Sequence, residues 1–218
     1  MGGAVSKPYL LLGGRPIISH TLRALSLSAE IQEIIIVTRP EEIDFCEREV
    51  VRRYNFDKVR AVVAGGEERQ DSVYQGLKSL KAEVDIVLIH DAVRPFLTQR
   101  LISEVIKGAT SFKSAVVALP VKDTLKEVDE EGWVKRTVPR DNLWDVQTPQ
   151  AFEPQIIRRA YEEALKNNFY GTDDAGLVER CGYRVKTVAG TPENIKITTP
   201  EDLTMAEAIL ELDREYRK

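Results

Sequence analysis

Short apolar runs recur along the chain, each closed by glycine, proline or a charged residue, and most are followed by a stretch with helical spacing. An apolar run of four to eight residues between breakers predicts a strand buried on both faces. Strands are predicted on this basis over residues 33–38, 59–64, 85–90, 114–120, 183–188 and 194–198, with a shorter run over 9–12 ended by Gly13 and Gly14. Helical spacing starts at Pro16 (Ile17, Ile18, Leu22, Leu25) and at Pro40. It recurs around Val73, Leu77 and Leu80, and over residues 98–110 and 153–166. Thr172-Asp173-Asp174 caps a helix to about residue 180, and Thr199-Pro200-Glu201-Asp202 caps a last one running to the C-terminus. Ser, Thr and Asp satisfy the free N–H groups of a helix start, and proline fits the first turn because its missing N–H would have had no partner.

Alternation of buried strands and helices over most of the chain predicts parallel βαβ units, hence a doubly wound, mostly parallel α/β sheet in one domain over residues 1–218. Residues 121–143 break the rhythm. They alternate, are rich in charge, and carry Glu130-Glu131-Gly132 at their middle, which predicts a β-hairpin. A charged hairpin is either a surface excursion or an arm packed on a second subunit. Leu125, Trp133 and Val134 favour the arm, since they would otherwise be exposed apolar surface.

Composition narrows the classes. With 43% hydrophobic and 30% charged residues, the 218-residue chain can bury a core and stay dissolved. A net charge of −4 gives no basic footprint for nucleic acid. No apolar run approaches the roughly 20 residues of a membrane span, and residues 1–8, which read as the tail of a loop, have no apolar core of a signal peptide. Cytoplasmic location is expected. Cys46 and Cys181 are too few for a disulfide scaffold or a structural zinc site, and no metal-ligand set is expected from the protein.

The richest stretch for chemistry is 85–95, DIVLIHDAVRP: an apolar run, then Asp91, Ala92 and Arg94. Charged groups just past the carboxyl end of a strand lie where open α/β sheets bind ligands. Lys7 and Lys196 are placed in the same way, at the ends of apolar runs. Arginine suits bidentate phosphate recognition and lysine acts as a point charge; singly, each is also consistent with a solvated surface cation. Gly65 and Gly66 either form a plain turn or let a base or phosphate approach the backbone, there being no Cβ in the way. Ser72 and Thr172 read as caps or helix hydroxyls, and His20 and His90 as packing residues. With no nucleophile elbow and no Walker loop, the residues point to group transfer between two bound substrates, with the protein positioning them and stabilising charge.

Several stretches together resemble one family. Lys7-Pro8, Gly14-Arg15-Pro16-Ile17, GGEERQDSV (65–73), HDAVRPF (90–96), TVPRDNLWDVQTPQAF (137–152), TDDAGLVE (172–179) and NIKITTPEDL (194–203) are similar to the cytidylyltransferases of isoprenoid-precursor synthesis. The resemblance spans nearly the whole chain and implies a fold like that of the nucleotide-diphospho-sugar transferases. It implies attack of the phosphate oxygen of methylerythritol phosphate on the α-phosphorus of CTP, with pyrophosphate leaving. It implies magnesium held mainly by the CTP phosphates. Lys7 and Lys196 would stabilise developing charge; Gly65, Gly66, Glu67 and Ser72 would read the cytosine. Asp91 and Ala92 would lie by the ribose and the second substrate, and Arg94, Thr148 and Thr172, with Lys196, would hold methylerythritol phosphate. Arg140 would reach a partner's site from the hairpin arm, which implies a homodimer with composite sites.

The family also has a first strand and a glycine-rich, triphosphate-wrapping loop ahead of the position of Met1. The expectation is therefore a sequence that starts part-way along its polypeptide, and weak or absent CTP turnover for a chain beginning at Met1. Two alternatives share most of these motifs: a ribitol 5-phosphate cytidylyltransferase, and a non-catalytic nucleotide-binding dimer.

Overall fold

A computed structural model describes residues 6–81 and 83–216, with side chains as far as residue 212. Of the loop expected over residues 1–8, residues 1–5 lie outside the described residues. The chain opens with a 3-10 turn at Lys7–Tyr9, followed by a two-residue hairpin of β1 (Leu11–Leu12) and β2 (Arg15–Pro16). Gly13 and Gly14 make its turn at φ +57° and +80°, where a side chain would be strained. Then come α1 (Ile17–Leu27), β3 (Ile34–Thr38), α2 (Ile43–Cys46, continued by a wider π-turn at Glu47–Arg52), β4 (Val59–Ala64), α3 (Arg69–Lys78), β5 (Val87–Ile89), α4 (Gln99–Phe112) and β6 (Ser114–Pro120). The hairpin is β7 (Leu125–Val128) and β8 (Val134–Val138). The chain returns as β9 (Trp144–Phe152) and ends with α5 (Pro154–Lys166), α6 (Asp174–Arg180), β10 (Lys186–Ala189) and α7 (Pro200–Tyr216).

The α/β class and the mostly parallel sheet are as expected, with β9 as the reversed strand. β3 and β4 pair in parallel, as do β6 and β10, while β9 runs antiparallel between β5 and β6. Helices cover both faces because the strands alternate. On β6, Ala115 and Val117 face a core shared with α1, α2 and α4; Val116 faces a second core shared with α3, α5 and α6. Ala151 and Phe152 of β9 divide in the same way. Full burial of a Val or Phe side chain here stabilises the fold by about 1.5–3 kcal/mol.

The two strand blocks, β4-β3 and β5-β9-β6-β10, are separate. Between β3 and β5 lies an apolar cavity of about 1300 Å³, walled by Ile34, Ile36, Leu88, Ile18, Leu22 and Ile106. Among the described residues no strand pairs with the edges of β3 and β5 that border it. Edges of this kind present unpaired backbone groups, so the sheet has capacity there for a further strand.

Two strand expectations need correction. Residues 194–198 form no strand: the backbone N–H of Ile197 donates to Val93 (2.9 Å), and the Ile197 side chain is buried in a small third core with Leu12, Ile17 and Ala206. Residues 183–188 yield a strand only from Lys186 onward. The last helix starts as expected. Thr198 N–H, Thr198 Oγ1 and Thr199 N–H all donate to Asp202 Oδ2 at 2.8 Å, and Asp202 N–H donates back to Thr199 Oγ1 at 3.3 Å. This reciprocal cap pins the segment that carries Lys196.

These backbone and hydroxyl donors pull the Asp202 carboxyl down to about 2. A carboxyl lowered on folding adds stability above its unfolded pKa, and that stability is lost as pH falls through the folded one. Asp202→Asn is expected to cost about 1 kcal/mol near pH 7. Denaturant titrations of both proteins at several pH values should show the gap closing below pH about 4.

Candidate active site

β5 ends at Ile89, and the next five residues turn back on themselves, with Arg94 N–H donating to the Asp91 carbonyl at 3.0 Å. The turn places the Asp91 carboxylate among three cations. Oδ2 lies 3.1 Å from Lys196 Nζ and 3.5 Å from Arg94 Nε, and Oδ1 lies 3.3 Å from Arg69 Nε. The Asp91 side chain is 11% exposed. Burial alone would push its carboxyl up; Lys196 and Arg69 outweigh that and hold it below the usual carboxylate range.

Arg94 is also largely buried, and Nη1 donates to the Asn194 carbonyl at 2.7 Å. With Nε on Asp91, two of its three nitrogens are engaged. Asn194 is wholly buried, and its Nδ2 donates to Gln147 Oε1 (3.1 Å) and the Thr148 carbonyl (2.9 Å). It therefore ties β9 to Arg94 and to the segment carrying Lys196, two residues on.

Thr148 is buried against the turn. Asp91 N–H donates to Thr148 Oγ1 at 3.0 Å, and Thr148 Oγ1 lies 3.0 Å from His90 Nδ1. His90 Nε2 lies 3.1 Å from the Arg94 carbonyl. A carbonyl only accepts, so Nε2 carries the proton and Nδ1 accepts from the Thr148 hydroxyl. The donor direction then runs unbroken from Asp91 N–H through Thr148 to His90 and on to Arg94. Burial pushes the His90 imidazole down to about 4, so it stays neutral. Expected as a packing residue, His90 is a polar strut.

A glycine loop borders the cluster. Gly65 N–H donates to the Thr38 carbonyl at 2.7 Å, and Gly66 N–H donates to Ser72 Oγ at 3.2 Å. A Cβ on Gly65 would meet Ser72 Oγ at 2.6 Å and one on Gly66 would meet Asp71 Cβ at 2.4 Å, so the loop can lie this close to α3 only as glycine. Glu68 and Asp71 form a reciprocal cap on α3, and Glu67 is exposed at its start.

Arg69, the first residue of α3, is a site residue that sequence analysis missed. Besides Asp91, it makes a two-pronged ion pair with Asp174, from Nη1 to Oδ1 (3.2 Å) and from Nη2 to Oδ2 (2.7 Å). Asp174 is wholly buried and also accepts from the Tyr161 hydroxyl. Burial would lower the Arg69 pKa, but Asp174 and Asp91 raise it.

Arg94, Thr148 and Lys196 thus each contact Asp91, with Ala92 in the same turn and its carbonyl accepting from Thr21 Oγ1 (3.0 Å). Gly65, Gly66 and Ser72 meet one another beside them. Thr172 is exposed, one residue before the Asp173 that caps α6. Lys7 sits in the first 3-10 turn, and its ammonium makes no ion pair among the described residues. Arg140 is exposed and donates to the Lys122 carbonyl across the base of the hairpin, so within one chain it does not meet the cluster.

Cations gathered round a buried carboxylate at the end of a strand, with no nucleophile among them, equip a nucleotide-phosphate transferase: a protein that positions two anions and supplies charge. The comparisons with known proteins narrow this class. The family model of 2-C-methyl-D-erythritol 4-phosphate cytidylyltransferase matches residues 1–212, and the chain belongs to that family. The enzyme of that name from Geotalea uraniireducens is 50% identical over 212 residues, covering 96% of this chain and 91% of the relative. That from Clostridioides difficile is 48% identical, covering 96% and 88%. Among solved structures, 4-diphosphocytidyl-2C-methyl-D-erythritol synthase from Anaerococcus prevotii superposes with a TM-score of 0.87 at 37% identity, covering 96% of this chain and 92% of that one. The 2-C-methyl-D-erythritol 4-phosphate cytidylyltransferase of Thermus thermophilus gives 0.80 at 35%, covering 94% of each.

The strut makes a spectroscopic prediction. Nitrogen-15 NMR of the His90 ring should show a neutral imidazole protonated on Nε2 at every pH above about 5. An imidazole that titrates near 6.5 would contradict the proton assignment. Because the unfolded chain takes up that proton and the folded one does not, stability should also fall as pH drops from about 6.5 toward 4.

Proposed function

We propose that the chain transfers the cytidylyl group of CTP to 2-C-methyl-D-erythritol 4-phosphate, giving 4-diphosphocytidyl-2-C-methyl-D-erythritol and pyrophosphate in the non-mevalonate isoprenoid pathway. A phosphate oxygen of the acceptor forms a bond to the α-phosphorus. The bond from that phosphorus to the α–β bridging oxygen of CTP breaks, and pyrophosphate leaves with that oxygen and the electron pair. The observation that carries this reading is the cluster of Lys196, Arg94 and Arg69 round Asp91, beside the glycine loop at the start of α3.

Both reactants are anions, so the barrier is set by bringing negative charges together at a crowded phosphorus. Preorganised cations lower it most. In this reading Lys196 and Lys7 face the reacting phosphates. Gly65, Gly66, Glu67 and Ser72 read the cytosine, mainly through backbone groups and one hydroxyl; Asp91 and Ala92 lie at the ribose and the second substrate. Arg94 has one guanidinium nitrogen left for the acceptor phosphate, and Thr148 and Thr172 complete that half-site. Among the described residues no cluster of three or more His, Cys, Asp or Glu could hold a metal ion, and both Asp91 oxygens are already committed to cations. Magnesium riding on the triphosphate would neutralise charge and ease the departure of pyrophosphate.

The hairpin supports a homodimer. Trp133 is 71% exposed and Val134, Val128 and Leu125 are also exposed, an apolar face that a second subunit would cover. Arg140, remote from its own cluster, would then serve the partner's. Residues 121–143 are in this reading a dimerisation arm on a single cytidylyltransferase domain. No helix among the described residues is long and apolar enough to cross a membrane. Cys46 and Cys181 are free thiols, as suits a reducing compartment, and the proposal places the enzyme in the cytoplasm.

Pyrophosphate release from CTP and magnesium, measured with methylerythritol phosphate and with ribitol 5-phosphate in parallel, tests the proposal. In a polypeptide that carries the triphosphate-wrapping loop, turnover is expected with the first acceptor and at most about 1% of it with the second. Preference for ribitol 5-phosphate would reassign the acceptor, and CTP binding without release from either would make the chain a nucleotide-binding dimer.

A further inference from the structure

Three segments with different proposed tasks meet at one side chain. Arg69 opens α3 directly after the glycine loop of the nucleotide half-site. Its Nε reaches Asp91, the centre of the cation cluster, and its two terminal nitrogens grip Asp174, two residues from Thr172 on the acceptor side. The next residue reinforces the link: Gln70 Nε2 donates to the Phe169 carbonyl and Gln70 Oε1 accepts from Gly171 N–H, both at 2.9 Å. Gln150 Nε2 donates to Asp173 Oδ2 (2.8 Å) and its Oε1 accepts from Ala175 N–H (2.9 Å), so the far end of the bridge is fixed as well.

We infer that Arg69 is a positioning residue that locks the nucleotide loop, the Asp91 cluster and the acceptor-side segment into one unit. The inference rests on the functional reading above. A guanidinium can do this because its three nitrogens lie in one plane and can serve two carboxylates at once; an ammonium is a single point. Asp174 is buried and needs its partner, so Arg69 cannot swing away without stranding a charge. Asp91 Oδ1 is thereby held, and Oδ2 is left to orient Lys196 and Arg94.

The test compares wild type with Arg69→Lys, varying CTP and methylerythritol phosphate in turn and recording a thermal melt. Wild-type turnover establishes the functional reading independently of Arg69. Lysine keeps a positive charge beside Asp174 but cannot span both carboxylates. The kcat/KM for the acceptor should fall at least about 100-fold, while the KM for CTP changes less than about threefold. The groups facing Asp91 are Arg69, Arg94, Lys196 and His90. With one cation drawn away, the acid limb of the kcat/KM profile should move up by about one pH unit. A lower melting temperature with unchanged kinetics and an unmoved acid limb would make Arg69 a structural ion pair and overturn the inference. If Arg69→Lys does not fold, Asp174→Asn frees the far end of the bridge without changing its shape. The same acceptor-specific loss is expected there, and wild-type acceptor kinetics would equally overturn the inference.

Discussion

The site depends on one carboxylate holding cations that would otherwise repel one another. Lys196, Arg94 and Arg69 come from three separate parts of the chain, and Asp91 lies within 3.5 Å of all three. Asp174 answers Arg69, which leaves Asp91 shared between Arg94 and Lys196. Three cations against two carboxylates leave one positive charge in excess, fixed in place before any ligand arrives. In the proposed reading, a site built this way needs little rearrangement when a triphosphate approaches, which is the condition under which fixed charge is most effective.

The fold supplies the rigidity that this arrangement needs. β5 delivers Asp91 to the end of the sheet, and the strut from Asp91 N–H through Thr148 and His90 to the Arg94 carbonyl stiffens the turn from below. Asn194 holds the opposite side, joining β9, Arg94 and the approach to Lys196. The capping of α7 by Asp202 pins the far end of that approach. Each of these is a buried or half-buried polar contact whose loss would leave a donor or acceptor unpaired, so the geometry is held at several points at once.

Much of this was legible in the sequence. β-branched runs located β3, β4 and β6, apolar spacing located α1, α4 and α5, and the caps at Asp173 and Asp202 were readable from residue type. Asp91 and Arg94 were readable because they stand beyond an apolar run, and Lys196 because it is the one cation in the short run 194–198. Arg69 was not, because it lies in the charged stretch GGEERQDS, where every charge looks like a solvated helix face; its partner Asp174 is over a hundred residues away. β9 was missed because its polar residues are satisfied across space, as Gln150 is by Asp173 and Ala175, so no local pattern marks it as buried. Residues 194–198 have the composition of a strand but are claimed by the Val93 carbonyl and the α7 cap, a tertiary override of local preference. The mostly parallel sheet was legible as well, but its one reversed strand, β9, was not, since the long hairpin lets the chain re-enter the sheet reversed.

The most direct measurement of the central claim is turnover of Asp91→Asn, with circular dichroism to verify folding. Asparagine keeps the shape and removes the charge that gathers the cations. Turnover should fall by at least about 1,000-fold with the fold intact. A folded Asp91→Asn enzyme with turnover within about threefold of wild type would show that the cations are organised without Asp91, and the account of the site built on it would be wrong.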